Sequence, residues 1–173
     1  MNKTDTDDSS VSVAVIGMAG RFPGARNIGE FWHNLCNGIE SISSFSEEEL
    51  LNSGVDPDLL KKQNYVKANS VLEDVEMFDA SFFGYTPREA EVMDPQHRLF
   101  LECAWESLED AGYVPENYKG RIGVFSGTGT NSYFQNNLLP NREIEKSTGL
   151  FQILISNSGD FVPTRTSYKL NLK

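Results

Sequence analysis

Apolar positions recur along this chain in two rhythms, short β-branched runs and longer stripes at helical spacing. Val11 to Ile16 is a valine-rich run too short for a helix, so it predicts a buried strand. Beyond the turn-rich stretch from Gly17 to Gly24, Asn27 and Glu30 stand three apart as a capping box. Phe31, Trp32 and Leu35 then supply a buried side, and Gly38 ends the helix. Ser46 with Glu49 predicts a second capped helix ending near Gly54, and Asp56 to Asn64 a further turn or short helix. Tyr65 to Phe83 is irregular and aromatic, with Phe78, Phe82 and Phe83 as core anchors. Thr86-Pro87 with Glu89 caps a short helix before Met93.

The strongest pattern follows. Asp94 can cap free amide groups, and Pro95 at the first helical position has no amide to lose. Leu101, Ala104, Trp105, Leu108 and Ala111 form one apolar stripe, Arg98, Glu102, Glu106 and Glu109 are assigned to the opposite face, and Gly112 is a left-handed terminator. The pattern predicts one continuous helix from Asp94 to Ala111. Arg121 to Ser126 reads as a second strand, followed by the small-residue turn Gly127-Thr128-Gly129-Thr130. Tyr133 to Leu139 is ambiguous and broken by Pro140-Asn141. Leu150 to Ile155 is strand or helix. Ser158 to Leu170 is an interrupted helix in which Pro163 must sit near the start. The class is α/β, with two clear strands, too few for a finished sheet.

Composition narrows the functions. Of 173 residues, 39% are hydrophobic and 23% charged, which suits one globular domain. A net charge of −10 argues against a nucleic-acid or anionic-membrane surface. Residues 1–10, with Asp5, Asp7 and Asp8, predict a disordered acidic tail. No signal peptide follows Met1, no apolar run reaches membrane-spanning length, and Cys36 and Cys103 make no disulfide framework. The expectation is a cytoplasmic protein.

Candidate chemistry is sparse. Gly17, Gly20 and Gly24 follow a strand without the G-x-G-x-x-G spacing or the Gly-Lys-Ser/Thr of a phosphate loop. Gly127 and Gly129, with Ser132 third, come nearer to a dinucleotide turn, but Asn136-Asn137 before Pro140 makes a poor helix to follow it. Cys103 lies near the buried edge of the long helix, where cysteine behaves as a small hydrophobe, and Cys36 reads the same way. His97 falls in a helix first turn, where the dipole disfavours a cation, so a neutral, hydrogen-bonded structural imidazole is expected. His33 is on a half-exposed face, and the two histidines give no metal site. No catalytic, cofactor-binding or metal-binding residue is assigned.

The order of several fragments carries more information than any of them alone. Val13 to Ala25 (VAVIGMAGRFPGA), Phe31-Trp32 with Leu35, and Phe78-Asp79-Ala80 with Phe82-Phe83-Gly84 come first. Pro87-Arg88-Glu89-Ala90, Met93 to Arg98 (MDPQHR), Ala104-Trp105-Glu106, Leu108 to Gly112 (LEDAG), Arg121 to Phe125 and Arg165 to Tyr168 (RTSY) follow. Together they closely resemble the β-ketoacyl synthase domains of modular polyketide synthases, over nearly everything after the tail. Asp160 to Thr164 (DFVPT) departs from the Ala- and Ser-rich run of many such domains and suggests a distinct subgroup.

The resemblance implies a thiolase-like αβαβα fold, of which residues 11–173 would be the N-terminal part. It implies decarboxylative Claisen condensation by the parent enzyme, an acyltransferase acting as a homodimer on phosphopantetheine-tethered acyl groups of acyl carrier protein, alongside other synthase modules. The family's nucleophilic Cys and two assisting His residues would follow Leu172-Lys173, so this chain alone is expected to be inactive. Phe151, Gln152, Ile153 and Ile155 resemble a region near the dimer interface and acyl pocket. Plain core packing explains that run equally well. A ketosynthase of fatty acid synthesis, a truncated non-catalytic interaction protein and a small nucleotide-binding α/β protein are the alternatives.

Overall fold

Local capping chemistry places most of the helices. The computed structural model describes residues 12–173, so the tail over residues 1–10 and the Val11 start of the first predicted strand lie outside the described residues. In α1 (Ile28–Asn37), the Asn27 side chain accepts the Glu30 amide at 2.9 Å, and Gly38 closes the helix at φ +61°. The Glu30 carboxylate reaches back one residue further than a capping box requires, to the Arg26 amide. In α2 (Glu47–Asn52) and α4 (Pro87–Glu91) the boxes Ser46/Glu49 and Thr86/Glu89 are reciprocal, and Asp56 caps α3 (Pro57–Leu60). β1 (Ser43–Ser44) and β2 (Ala68–Asn69) pair antiparallel, Ser43 opposite Asn69. Two-residue strands show no periodicity, which is why the sequence pattern does not reveal this pair.

The long helix forms as its spacing predicts, as α5 (Pro95–Asp110), capped by the Asp94 carboxylate on the Gln96 amide. Its end is a Schellman turn: the Gly112 amide donates to the Glu109 carbonyl and the Tyr113 amide to the Leu108 carbonyl, each at 2.9 Å, with Gly112 at φ +71°. Leu101 is fully buried in a cluster with Phe83 and Leu170, and Ala104, Trp105 and Leu108 pack against it half-buried. Arg98 corrects the expected polar face. It stands three residues before Leu101 and seven before Trp105, on the apolar stripe itself, and is buried with its guanidinium 6.0 Å from the Tyr133 ring centre. Glu102 and Glu106 are half-buried because residues 18–26 cross over them; Glu109 is exposed.

Past Gly127, the ambiguous region is helical over 132–138, widening to a π-turn at Phe134–Leu138, with Asn131 accepting the Phe134 amide at 2.8 Å. α6 (Arg142–Thr148), α7 (Leu150–Asn157) and α8 (Phe161–Lys169) follow, so Leu150 to Ile155 is helix rather than strand. Pro163 sits in the first turn of α8, where its missing amide costs nothing. α6 packs on α7, α7 on α8 and α8 on α5, around a second cluster of Val92, Leu138, Ile144 and Ile153.

The two predicted strands differ from expectation. Among the described residues, 12–16 and 121–126 make no ladder with each other or with another segment. Val13 is 88% exposed and Phe125 93% exposed, so one face of each segment meets no packing layer. Parallel-type strands need cover on both faces; here residues 12–16 are exposed throughout, and in 121–126 only Ile122, Val124 and Ser126 are half-buried. Trp32, 65% exposed, and Leu35 are likewise bare on the α1 face expected to be buried, and Phe82 is half exposed with its edge on Trp105.

Candidate functional site

The chemistry-bearing side chains cluster along α5. Cys103 is half-buried at the wall of a cavity of about 310 Å³ shared with Phe100, Ala104, Ile122, Val124 and Leu172. Burial pushes its thiol above the ordinary value, partly offset by Arg21. A raised thiol is a poor nucleophile at neutral pH, and the cavity around it is lined mostly by apolar side chains. Above it, Arg21 grips the Glu106 carboxylate with both terminal nitrogens, one at 2.7 Å, and that bond holds the guanidinium above its ordinary value. The pair fixes residues 18–26 on the helix. Cys36, in contrast with the small-hydrophobe expectation, is exposed on the uncovered side of α1.

His97 is 1% exposed, and burial lowers its pKa to about 4, with the nearby Arg165 charge acting in the same direction. The expected neutral imidazole is therefore right in charge. It is wrong in bonding, because neither ring nitrogen has a hydrogen-bond partner among the described residues. His97 occupies the third position of α5, where the helix's own first amides and the Asp94 cap consume the local acceptors. Burial also raises the Asp94 carboxyl, opposed by its bonds to Gln96. His33 is exposed on α1, far along the chain from these groups.

The glycine turn after residue 126 is committed internally. The Gly129 amide donates to the Gln96 side-chain oxygen at 2.8 Å, which takes one of the amides a phosphate would need. A helix does start at Ser132, contrary to the poor-helix expectation, because Asn131 supplies the cap that Asn136-Asn137 lacks. The α7 residues divide: Ile153 is in the core, Gln152 reaches Ser156 on the next turn, Ile155 is half-buried, and Phe151 is 77% exposed beside Leu150 and Leu154. They therefore do not converge on one pocket within the chain.

Three polar ties that hold these elements escape the sequence pattern. The Asn157 amide donates at 2.7 Å to the carbonyls of both Val92 and Ile153, Asn131 donates to the Asn157 carbonyl at 2.9 Å, and Arg165 donates to the Ile155 carbonyl at 2.6 Å. Asn131 had a usable signal, three residues before Phe134. Asn157 had none for its bond to Val92, which lies 65 residues away. Among the described residues, no three His, Cys, Asp or Glu side chains gather as a metal site would require, and no helix is long and apolar enough to cross a membrane.

Comparison with known proteins agrees with this arrangement. The family described as "Beta-ketoacyl synthase, N-terminal domain" matches residues 10–173. A component of the phenolphthiocerol/phthiocerol polyketide synthase of Mycobacterium tuberculosis is 45% identical over 168 residues, covering 94% of this chain and 11% of that protein. Polyketide synthase PksN of Bacillus subtilis is 41% identical, over 94% of this chain and 3% of that protein. Ketosynthase twelve of the bacillaene polyketide synthase from Bacillus amyloliquefaciens superposes with a TM-score of 0.77 at 39% identity, over 92% of this chain and 28% of that one. The chain thus spans a small part of the relatives it matches, and it has the thiolase-like ketosynthase fold in part. From the α5 signature to the helix carrying Arg165, it belongs to the β-ketoacyl synthase family, as an N-terminal portion of a ketosynthase domain of the modular polyketide synthase type.

Proposed function

We propose that this chain is the scaffold portion of a ketosynthase domain whose complete form joins a carrier-protein-bound acyl chain to a malonyl-type extender by decarboxylative Claisen condensation. The observation that carries the reading is the family match over residues 10–173, joined to a fold whose sheet segments lie uncovered. In this reading α5 is the rigid floor of the domain. The nucleophile and the two assisting histidines come from the portion this chain does not span. Cys103, with its raised thiol, and His97, held neutral without a partner, are structural.

The acyl groups arrive on the phosphopantetheine arm of acyl carrier protein, which is substrate rather than resident cofactor. The other modules of the synthase are further partners, and the complete domain works as a cytoplasmic homodimer. In this reading Phe151, exposed on α7 with Leu150 and Leu154, belongs to the dimer interface together with Gln152 and Ile155, while Ile153 anchors the helix in the core. Sequencing the reading frame beyond the Lys173 codon tests the proposal. A frame that continues into a strand and a Thr-Ala-Cys turn is the expected result. A stop codon there would overturn the catalytic reading in favour of a non-catalytic interaction protein.

A further inference from the structure

The end of α5 and the chain that follows it form a cleft of about 380 Å³, lined only by residues between Trp105 and Glu116. The Schellman reversal at Gly112 builds it. The bond from the Tyr113 amide to the Leu108 carbonyl folds the following residues back beside the helix end. A tight turn then fixes the returning chain: the Asn117 amide donates to the Val114 carbonyl at 3.0 Å, and the Tyr118 amide to the same carbonyl at 3.2 Å. The aromatic lining is held as well. Phe82 stands edge-on to Trp105 with ring centres 5.0 Å apart, and Tyr118 edge-on to Tyr113 at 5.1 Å. The cleft is therefore shaped before any occupant arrives.

Its chemistry is of two kinds. Trp105, Leu108, Tyr113, Val114 and Pro115 present aromatic and aliphatic surface, whereas Glu109 and Glu116 bring carboxylates. Both glutamates are exposed, and neither lies in an ion pair among the described residues. Aromatic rings attract a cation to their faces, and a carboxylate takes paired N–H donors from a guanidinium. We infer that this cleft is a docking site for an arginine side chain presented by a basic segment of a separate polypeptide. Arginine rather than lysine follows from the guanidinium's planarity, weak hydration and forked donors, which suit stacking and carboxylate pairing together. A polypeptide rather than a free amine follows from shape. Glu109, Gly112, Val114 and Glu116 are all exposed, so the cleft covers one side of its occupant, whereas small-molecule sites enclose most of theirs. A basic segment follows from charge, since the chain carries −10 and the lining includes no cation. The site stands apart from the condensation chemistry proposed above.

The test titrates the peptide acetyl-Gly-Leu-Arg-Leu-Gly-amide into the full 173-residue chain at one low protein concentration. Trp105 emission, read in a Trp32→Phe background, reports occupancy of the cleft it lines. The expected result is saturable binding that weakens as salt rises. Affinity should fall by about tenfold or more when citrulline, a neutral isostere, replaces the arginine, and likewise with Glu109→Gln plus Glu116→Gln. Both glutamates are exposed, so far-UV circular dichroism of that variant should match the parent. Glu47→Gln plus Glu48→Gln, on α2, removes the same charge elsewhere and should leave affinity unchanged. No saturable change, or equal affinity for the citrulline peptide, would overturn the proposal. So would an equal loss from the α2 pair, which would reduce the effect to overall charge. A lysine peptide binding as tightly would refute the guanidinium assignment, and agmatine binding as tightly would give the cleft to a free small cation instead of a polypeptide.

Discussion

Replacing His97 with methionine should flatten the acid limb of this protein's stability. The imidazole is fully buried, has no hydrogen-bond partner among the described residues, and titrates in the fold near 4 against an ordinary 6.5. Above pH 6.5 it is neutral in both states and contributes nothing to the pH dependence. Between 6.5 and about 4 the unfolded chain takes up a proton that the fold refuses, so stability falls as pH falls. Below about 4 both states are protonated and the loss is complete. That shift corresponds to about 3 kcal/mol in full and to about 2 kcal/mol between pH 7 and pH 5. Burial raises Asp94 and Glu102, which favours their neutral forms in the fold and stabilises it as pH drops, so the parent curve mixes opposing slopes. The difference between parent and His97→Met isolates the imidazole. Methionine suits the replacement because it fills similar space and leaves no polar atom unpaired. Urea unfolding followed by Trp105 emission, in a Trp32→Phe background at one low protein concentration, measures it. Parallel curves for parent and variant between pH 7 and pH 5 would refute the reasoning.

Other sites give sharper or flatter responses. Leu101→Ala, which hollows the cluster with Phe83 and Leu170, should cost about 2–5 kcal/mol, whereas Phe125→Ala should cost almost nothing in the chain alone, as chemical denaturation would show. Gly112→Ala forces a side chain into φ +71° with no contact to repay it and should lower stability by about 1 kcal/mol, readable as a lower midpoint at unchanged slope. The chain expressed alone should self-associate through its bare extended segments, and Phe125→Lys should reduce the scattering; a monomer at all concentrations would contradict this.

Helices were legible in the sequence wherever a cap and a stripe coincided. Ser46/Glu49, Thr86/Glu89 and Asp94-Pro95 are local chemistry, complete within a few residues, and each appears in the fold with the partners its spacing implies. Arg98 is misplaced when charge alone guides exposure, although its spacing to Leu101 and Trp105 puts it on the buried stripe. The two predicted strands are extended segments without a ladder among the described residues, and residues 12–16, expected to be buried, are exposed, because no packing layer lies over them. The neutrality of His97 comes from burial and the nearby Arg165 charge rather than from the helix dipole, and its missing partners likewise depend on packing against α8, so neither could be read locally. The polar ties from Asn157 and Arg165 join residues far apart in sequence or around a turn and left no periodic trace. The family resemblance supplied what periodicity could not, because it rests on the order of many fragments rather than on the strength of one.

In the proposed reading, this chain frames a ketosynthase active site without supplying its nucleophile. Incubating it with acyl-loaded carrier protein, alone and fused to the remainder of a ketosynthase domain, and weighing the intact proteins by mass spectrometry tests that claim directly. The account predicts no acyl thioester on the chain alone and one acyl group on the fusion, retained when Cys103 and Cys36 are both changed to Ala. A stoichiometric thioester on the chain alone, lost in Cys103→Ala or Cys36→Ala, would contradict it.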